Sequence, residues 1–339
     1  MIVRHIGLFL LVVGGVAGNA VLASCGTEAA LLADAGAPVV DTGSDGGARP
    51  PAGGPAEDGA SSAPGDASGA DAGTLAKRRV YGTSVQGQPL EAFEVTPTAP
   101  NGKKALLTFA LHGFEDAFEQ DGRALYAIAE DVIAYYGTAP ERLHGWSLHV
   151  VPTANPDGMR NGTNNLRESA AAFGRCTSLG KDVNRNVSEG TSAEQRALKA
   201  LFDEVKPTIA VDFHGWYDTY YGNAKLGDYF ARAFNASYPA KPRSYCFVDA
   251  TGAMDCGEAR GGIFHASTKI TTDLFAEWAS RVRDVPSVLV EYPAPDLDLD
   301  GAFDTVLDPT LGRPVLRPST HAVFWDRTRV ALDDLFATY

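Results

Sequence analysis

The chain alternates between short apolar runs and longer stretches in which apolar residues recur every three or four positions. Short continuous apolar runs are typical of buried strands, and the longer spacing is typical of helices that bury one face. On this basis strands are predicted at residues 106–111, 146–151, 208–213 and 287–292. Helices are predicted at residues 123–136, 193–205, 273–282 and 321–336. Strands separated by helices favour an α/β domain whose sheet is buried between helix layers.

Residues 1–24 do not belong to that domain. Arg4 and His5 form a short positive region, and the apolar stretch that follows is typical of a signal peptide. The stretch runs into the tetrapeptide LASC, whose last residue is Cys25. This tetrapeptide resembles the lipobox of bacterial lipoproteins, which implies cleavage before Cys25, acylation of its thiol and a lipid anchor in the cell envelope. Gly26 favours the outer membrane, and an ordinary signal peptide or membrane anchor is the alternative.

Residues 25–76, which begin with the cysteine expected to be acylated, are predicted to form a disordered linker. They are mostly Ala, Gly, Asp, Pro and Ser, and they bury too little apolar surface to offset the entropy of ordering. Eight acidic residues and one arginine lie between positions 27 and 74, so this segment carries about half of the formal net charge of −13. An acidic chain without a basic stripe argues against a nucleic-acid partner. One folded domain is predicted at residues 77–339.

Export would place Cys176, Cys246 and Cys256 in an oxidising compartment, where disulfides form. Their number is odd, so one of them is unpaired or pairs outside the chain. The stretch between Cys246 and Cys256 contains Gly and Asp residues and can turn back on itself. These two cysteines are therefore the favoured pair.

Candidate catalytic chemistry lies where apolar runs end. His112 and Glu115 directly follow the first predicted strand, and Gly113 between them permits a tight turn. His214 ends another apolar run, although a lone histidine there is more often a hydrogen-bonded structural residue. Glu291 lies in an apolar strand, where an ionised carboxylate is costly unless it is paired or reaches a metal site. Imidazole nitrogen and carboxylate oxygen are both zinc ligands.

Two further motifs lie between His112 and His214: Asn155-Pro156-Asp157-Gly158 and Asp182-Val183-Asn184-Arg185-Asn186. The order H-x-x-E, N-P-D-G, D-x-N-R-N, His and Glu resembles the zinc carboxypeptidase family over residues 77–339. The ordered set is far more specific than any of its members. The resemblance implies a single α/β catalytic domain with a mixed, mostly parallel eight-stranded sheet between helix layers.

The resemblance also implies roles for individual residues. His112, Glu115 and His214 would bind one Zn²⁺, the His₂Glu set of catalytic zinc sites in this family. Glu291 would take a proton from the attacking water and deliver it to the leaving amine. Asn184 and Arg185 match the pair that grips a substrate's terminal carboxylate. The implied function is hydrolysis of a C-terminal peptide bond, and the implied partner is a peptide or peptide-like substrate with a free carboxylate.

The resemblance is looser at two positions. The arginine that stabilises the oxyanion stands five residues before the glycine of the D-x-N-R-N block in many relatives, which gives Arg175, the preferred candidate. Other relatives place it further upstream, which gives Arg167. The tyrosine that often closes over substrate has no counterpart between residues 262 and 272, where Phe264 and His265 stand instead. This difference puts the substrate class in doubt.

Two alternative functions are left open. The first is an amidase or peptidase of the same fold that acts on cell-wall peptides or N-acyl amino acids. The second is a non-catalytic relative that binds carboxylate ligands, which is disfavoured because all three ligand positions and Glu291 are intact.

Overall fold

The computed structural model describes residues 75–115, 121–162, 173–215, 219–236, 243–248, 254–259, 265–266, 273–292, 305–310 and 313–339. Strands in these residues are β1 Lys77–Thr83, β2 Pro89–Val95, β3 Lys104–Phe109, β4 Ser147–Val151, β5 Ile209–Gly215, β6 Thr219–Gly222, β7 Arg243–Val248, β8 Met254–Ala259, β9 His265–Ala266, β10 Ser287–Tyr292, β11 Thr305–Asp308 and β12 Arg313–Leu316. Helices are α1 Gly122–Thr138, α2 Pro156–Asn161, α3 Ala193–Val205, α4 Ala224–Asn235, α5 Phe275–Arg283 and α6 Pro318–Thr338, with a 3₁₀ turn at Pro140–Leu143.

Eight strands form one mixed sheet in the order β1-β2-β4-β3-β5-β10-β6-β9. The four central strands β4, β3, β5 and β10 run parallel to one another. At one edge, β1 pairs antiparallel with β2, and β2 pairs antiparallel with β4. Near the other edge, β6 pairs antiparallel with β10 and parallel with β9. This confirms the predicted α/β fold with its mixed eight-stranded sheet, and it brings the ends of β3, β5 and β10 side by side.

Helices cover both faces of the sheet, because side chains alternate along each buried strand. On β3, Leu107 and Phe109 belong to the apolar cluster that includes residues of α1, α4 and α6, whereas Leu106 belongs to the cluster that includes residues of α3 and α5. Strand β5 follows the same pattern, with Val211 on the first face and Ala210 on the second. A strand buried on both faces reads as a continuous apolar run, which is why the sequence located these strands.

Several predicted bounds agree with the structure. Helix α3 spans Ala193–Val205 as predicted, and Ser192 and Gln195 form a capping box at its start. Strand β10 spans Ser287–Tyr292, also as predicted. The first predicted strand was placed too late: β3 ends at Phe109, because Ala110 has a φ of 39° that extended structure does not allow.

The second half of the sheet was not predicted in full. Strand β6 is too short to give a clear pattern, and α4 was missed although one of its faces is strongly apolar. Within the described residues, none of the helices has both the length and the apolar character needed to cross a membrane. The predicted signal peptide, the acylated Cys25 and nearly all of the linker lie outside the described residues.

The cysteines differ from expectation. Strands β7 and β8 form a hairpin in which Cys246 and Cys256 stand opposite one another in backbone register, as the predicted turn requires. Cys176 is itself disulfide-bonded, and its partner lies among the cysteines whose side chains are not described. Leaving Cys176 out of the pairing was therefore wrong, and the Cys246–Cys256 pair stays a prediction.

Candidate active site

His112 and Glu115 lie on a short loop after β3 that close backbone packing holds in place. A Cβ on Gly113 would lie 2.4 Å from the carbonyl oxygen of Gly174 and 2.4 Å from the carbonyl carbon of Gly158. Only glycine fits at that distance, so Gly113 is required for close approach and not for an unusual φ. Glu115 is fixed further by its backbone N–H, which donates to the buried Asp121 carboxylate.

His214 comes from a different kind of element. It lies inside β5 and pairs in register with Glu291 on the neighbouring parallel strand β10. The backbone hydrogen bonds between β5 and β10 therefore set the position of His214, and no turn is involved. The sequence placed His214 just after the strand, and the structure extends β5 to Gly215.

The three predicted metal ligands meet in one buried cluster. One nitrogen or oxygen from each of His112, Glu115 and His214 lies within 4.8 Å of the others. The Nδ1 atom of His112 is 3.1 Å from Glu115 Oε2, and the Nδ1 atom of His214 is 3.1 Å from Glu115 Oε1. The two imidazole rings meet edge to face with centroids 5.1 Å apart.

This cluster fits a zinc ion. Ligand bonds of 2.0–2.2 Å in a tetrahedron put neighbouring ligand atoms about 3.3–3.6 Å apart, close to the separations seen here. Within the described residues, Glu115 Oε1 is buried without a hydrogen-bond partner although His214 Nδ1 is close, so a cation between them would satisfy both. His112, Glu115 and His214 therefore form a zinc site.

Each histidine ligand is oriented by an aspartate behind it. His112 Nε2 lies 2.8 Å from Asp182 Oδ1, and His214 Nε2 lies 3.0 Å from Asp212 Oδ2. An Nε2–H that donates to a carboxylate leaves Nδ1 deprotonated and directed at the metal position. Both aspartates are buried. Sequence reasoning did not single out Asp212, although a carboxylate two residues before a strand histidine lies on the same face of the strand.

The electrostatics of the buried cluster also favour a cation. Burial favours the neutral form of His214, but the facing carboxylates of Asp212 and Glu115 raise its pKa well above the usual value. Burial also opposes ionisation of Glu115, yet the imidazoles of His112 and His214 lower the pKa of that carboxyl to about 2. Without a metal, the site thus holds positive charge as protons on histidine. A bound divalent ion would replace those protons.

Glu291 reaches the same site from β10. Its Oε2 atom is buried and has no hydrogen-bond partner in the described part of the chain. Burial raises the pKa of Glu291 to about 8, and the nearby His214 opposes that rise. A cation bound beside it would favour the carboxylate further. An acid held unpaired next to a metal site is suited to accept a proton.

Arg175 is also brought to the cluster. Its Nη1 atom lies 3.7 Å from Glu115 Oε2, and its Nε atom lies 3.7 Å from Asp182 Oδ2. The backbone around it is held by Asn155, whose Nδ2 donates to the carbonyls of Gly174, Arg175 and Cys176 at 2.9–3.2 Å. The N-P-D-G motif therefore positions Arg175, a role that its sequence did not reveal. Arg167, the alternative oxyanion arginine, lies outside the described residues.

Asn184 and Arg185 lie beside the histidine ligands. The Asn184 side chain is buried: its Oδ1 accepts from the backbone N–H of Phe275 at 2.7 Å, and its Nδ2 lies 3.1 Å from His214 Nε2. Arg185 is partly buried and donates from Nη1 to the carbonyl of Asn184 at 2.9 Å. Among the described residues Arg185 makes no ion pair. The loop where the closing tyrosine is missing lies, except for residues 265–266, outside the described residues.

Comparisons with known proteins agree with this geometry. The family model described as zinc carboxypeptidase matches residues 67–210, a span that includes His112, Glu115 and Arg175 and ends just before His214. The chain is 33% identical over 185 residues to bacteriocin BCN5 of Clostridium perfringens, a match that covers 48% of this chain and 19% of that protein. The chain thus spans about a fifth of the length of this curated relative.

Its fold is similar to that of a metallo-carboxypeptidase from Burkholderia cenocepacia, with a TM-score of 0.50 and 15% identity. That similarity covers 77% of this chain and 64% of the solved structure.

Proposed function

Because a zinc carboxypeptidase family model matches residues 67–210 and the ligand cluster fits a zinc ion, we propose that the chain is a zinc carboxypeptidase that hydrolyses the C-terminal peptide bond of peptides with a free α-carboxylate. The observation that carries this proposal is the position of Glu291, which stands beside the zinc ligand His214 on the next strand and whose buried Oε2 has no hydrogen-bond partner among the described residues. A zinc cluster alone can be structural. A zinc cluster with an unpaired carboxylate next to it has the parts of a hydrolytic centre.

His112, Glu115 and His214 would hold the zinc ion through two Nδ1 atoms and a carboxylate. The ion supplies a Lewis acid and makes water more acidic near neutral pH. Asp182 and Asp212 keep the two rings oriented, since each accepts from an Nε2–H. The protein's own part in the first step is therefore to fix the ligands before substrate arrives.

Glu291 acts as general base and then as general acid. It accepts a proton from the attacking water and delivers it to the nitrogen of the leaving amine, so the carboxylate is regenerated at the end of the cycle. Its burial favours this role, because a desolvated carboxylate binds a proton more tightly than one in water.

Arg175 supplies positive charge where the scissile carbonyl oxygen becomes negative. It already lies 3.7 Å from the ligand Glu115, so its guanidinium is next to the reacting region. Arg185, which has no acidic partner among the described residues, binds the terminal carboxylate. Asn184 stands beside it and also contacts His214. A guanidinium can hold a carboxylate through two parallel hydrogen bonds.

Paired peptide substrates test this function. We expect the zinc-loaded protein to hydrolyse peptides with a free C-terminus and to leave the same peptides with an amidated C-terminus intact. Arg185→Ala should raise KM for the free peptides by about tenfold or more, because a charge-assisted hydrogen bond is lost. Equal hydrolysis of free and amidated peptides would contradict the proposal.

A second candidate is an amidase that acts on cell-wall peptides. Two observations favour it: no tyrosine lies between residues 262 and 272, and a segment of this chain is similar to part of a protein named a bacteriocin. Incubation of the protein with purified cell-wall muropeptides, in parallel with the free and amidated peptides, distinguishes the two candidate functions. Cleavage of muropeptides alone would favour the second candidate, and cleavage of neither substrate would favour a non-catalytic binding role.

We also propose that the protein is exported and held in the bacterial cell envelope by a lipid on Cys25, with residues 25–76 as its tether. The support is the LASC tetrapeptide after an apolar run, followed by a segment rich in small and acidic residues. Cys25→Ser should move the protein from the detergent phase to the aqueous phase in a Triton X-114 partition. An unchanged partition would contradict the lipid anchor.

A further inference from the structure

A polar groove lies on the far side of the loop that holds His112. It has a volume of about 630 Å³ and is formed by β1, β2, the end of β4, α1 and α2. Met159 lines it, and the backbone nitrogen of Met159 is 2.6 Å from where a Cβ on Gly113 would stand. The groove is therefore separated from the zinc loop by a layer of backbone, and the zinc ligands are not part of its lining.

Two arginines that line the groove make no ion pair with an acidic residue of the described segments. Arg123 is partly buried and donates from Nη2 to the carbonyl of Met159, and Arg160 is exposed and hydrogen-bonds to Gln88. Within the described residues neither guanidinium makes an ion pair. Burial, followed by the charge of Arg160, lowers the pKa of Arg123. Two cations side by side without an anion are an unfavourable arrangement that an anionic ligand would relieve.

A buried N–H group of Arg123 is a second indication of an anionic ligand. The Nε atom of Arg123 is buried and has no hydrogen-bond partner in the described residues. Buried N–H groups are nearly always paired in folded proteins, so an unpaired one beside an open groove indicates a missing acceptor. A guanidinium presents Nε–H and Nη–H in one plane, which matches two oxygens of a carboxylate or phosphate.

Two glutamates also line the groove. Glu91 is paired with Arg78 across β1 and β2. Glu130 is exposed, and both glutamates act electrostatically on Tyr126. Glu91 is thus compensated by an arginine, whereas the charges of Arg123 and Arg160 are not compensated by an ion pair within the described residues.

We propose that Arg123 and Arg160 form a binding site for an oxyanion, either the side-chain carboxylates of an acidic peptide or a phosphate group, separate from the zinc centre. The ligand would accept from the guanidinium groups of Arg160 and Arg123, with Gln88 as a further polar contact. This site does not depend on the proposed peptidase function, because the zinc ligands and Glu291 take no part in it.

Methionine methyl NMR gives a local readout of this site. The chain has three methionines, Met1, Met159 and Met254, and of these Met159 lines the groove. Zinc-loaded protein with ¹³C-methyl methionine is titrated with inorganic phosphate and, separately, with an N-acetylated, C-terminally amidated triglutamate peptide. The blocked peptide lacks a free α-carboxylate, so the proposed carboxypeptidase chemistry does not apply to it.

We expect a saturable shift of the Met159 methyl signal with at least one probe, and the tighter probe identifies the ligand class. Arg160→Gln should weaken that binding by about tenfold or more, since it removes a charged donor from an otherwise intact groove. Arg123→Lys keeps the positive charge but loses the planar guanidinium with its several N–H donors, so it should also weaken binding. Arg281→Gln, which changes the net charge equally on α5, should leave binding unchanged.

Three results would overturn the proposal. They are no saturable shift with either probe, equal binding by wild type and Arg160→Gln, or an equal loss in Arg281→Gln, which would indicate a general effect of net charge. Loss of peptidase activity in Glu291→Gln with unchanged Met159 shifts would leave the groove site standing. The two proposals therefore fail independently.

Discussion

His112 and His214 contribute equivalent nitrogens to one zinc site but are held in different ways. His214 lies in a regular parallel strand, and its neighbour on β10 is Glu291. His112 lies on a loop that leaves β3 through Ala110, a non-glycine residue with a positive φ, and then packs backbone against backbone at Gly113. Each ring is then oriented by an aspartate.

The two histidine ligands are therefore positioned by different kinds of interaction. A strand histidine is placed by the hydrogen-bond ladder, so its surroundings tolerate small changes in side-chain volume. A loop histidine is placed by the packing of neighbouring segments, here helix α2 at Gly158 and the backbone at Gly174. We therefore expect the His112 side of the site to be sensitive to steric changes and the His214 side to be sensitive mainly to loss of hydrogen bonds.

The largest expected effect is loss of the metal. His214→Ala and His112→Ala should each abolish zinc binding, because a site with three protein ligands loses most of its affinity with one of them. Zinc per chain is measured after dialysis against trace zinc. His321→Ala, which changes a surface histidine paired with Asp131, should keep the metal. Zinc retained in His214→Ala would disprove the ligand assignment.

The two glycines that follow the histidine ligands should respond differently to a methyl group. A Cβ on Gly113 would meet backbone atoms at 2.4 Å, whereas the nearest atom to a Cβ on Gly215 is the Glu115 Cβ at 3.8 Å. Gly113→Ala should lower the free energy of unfolding by about 1–3 kcal/mol through overpacking. Gly215→Ala should raise it by about 0.4–1 kcal/mol, because alanine fits there and restricts the unfolded chain. Equal effects in chemical denaturation would contradict the contrast.

The aspartates behind the rings should matter to a similar degree on both sides. Asp182→Asn and Asp212→Asn should each weaken zinc binding by about 10–100-fold, because the amide no longer holds the Nε2–H as strongly. Competition with a chromogenic chelator measures this affinity. If one variant bound zinc as tightly as wild type, the corresponding ring would be held by something other than its aspartate.

The smallest effects on zinc binding and stability are expected for threonines that support the groups around the two histidine ligands. Thr108 donates to Asp212 at 2.6 Å, and Thr153 donates to the carbonyl of Ala110 at 2.8 Å. Thr108→Val and Thr153→Val should each cost about 1 kcal/mol of stability, the usual cost of a lost buried hydrogen bond. Only Thr108→Val should also weaken zinc binding, by a few-fold, since it acts on the partner of His214. A larger metal defect in Thr153→Val would reverse this assignment.

The sequence was informative where burial or motif order constrains it strongly. The central strands read as apolar runs because they are covered on both faces, and the ligands His112, Glu115 and His214 stand at or near strand ends. It was less informative where long-range packing decides the outcome. The role of Asn155 in holding the carbonyls around Arg175 depends on residues about twenty positions apart, and the packing of Gly113 depends on helix α2 and on the segment at Gly174.

The aspartates that contact the histidine ligands are a second case in which the sequence alone did not reveal a long-range contact. Asp182 was visible as part of a motif, but its contact with His112 spans 70 positions of sequence. The spacing of Asp212 and His214 puts both on one face of a strand, but only the fold shows that the carboxylate contacts the His214 ring. Arg123 and Arg160, which make no ion pair within the described residues, left no pattern in the sequence, because an absent partner is visible only in three dimensions.

The most direct test of the central claim compares zinc content and turnover in Glu291→Gln. The amide has almost the same shape as the carboxylate but cannot accept a proton from water. Glu291 is not among the zinc ligands, so the variant should keep one zinc per chain and lose turnover by roughly 10²–10⁴-fold, the usual contribution of a general base. Full activity in a zinc-loaded Glu291→Gln protein would contradict the account, and so would loss of the metal.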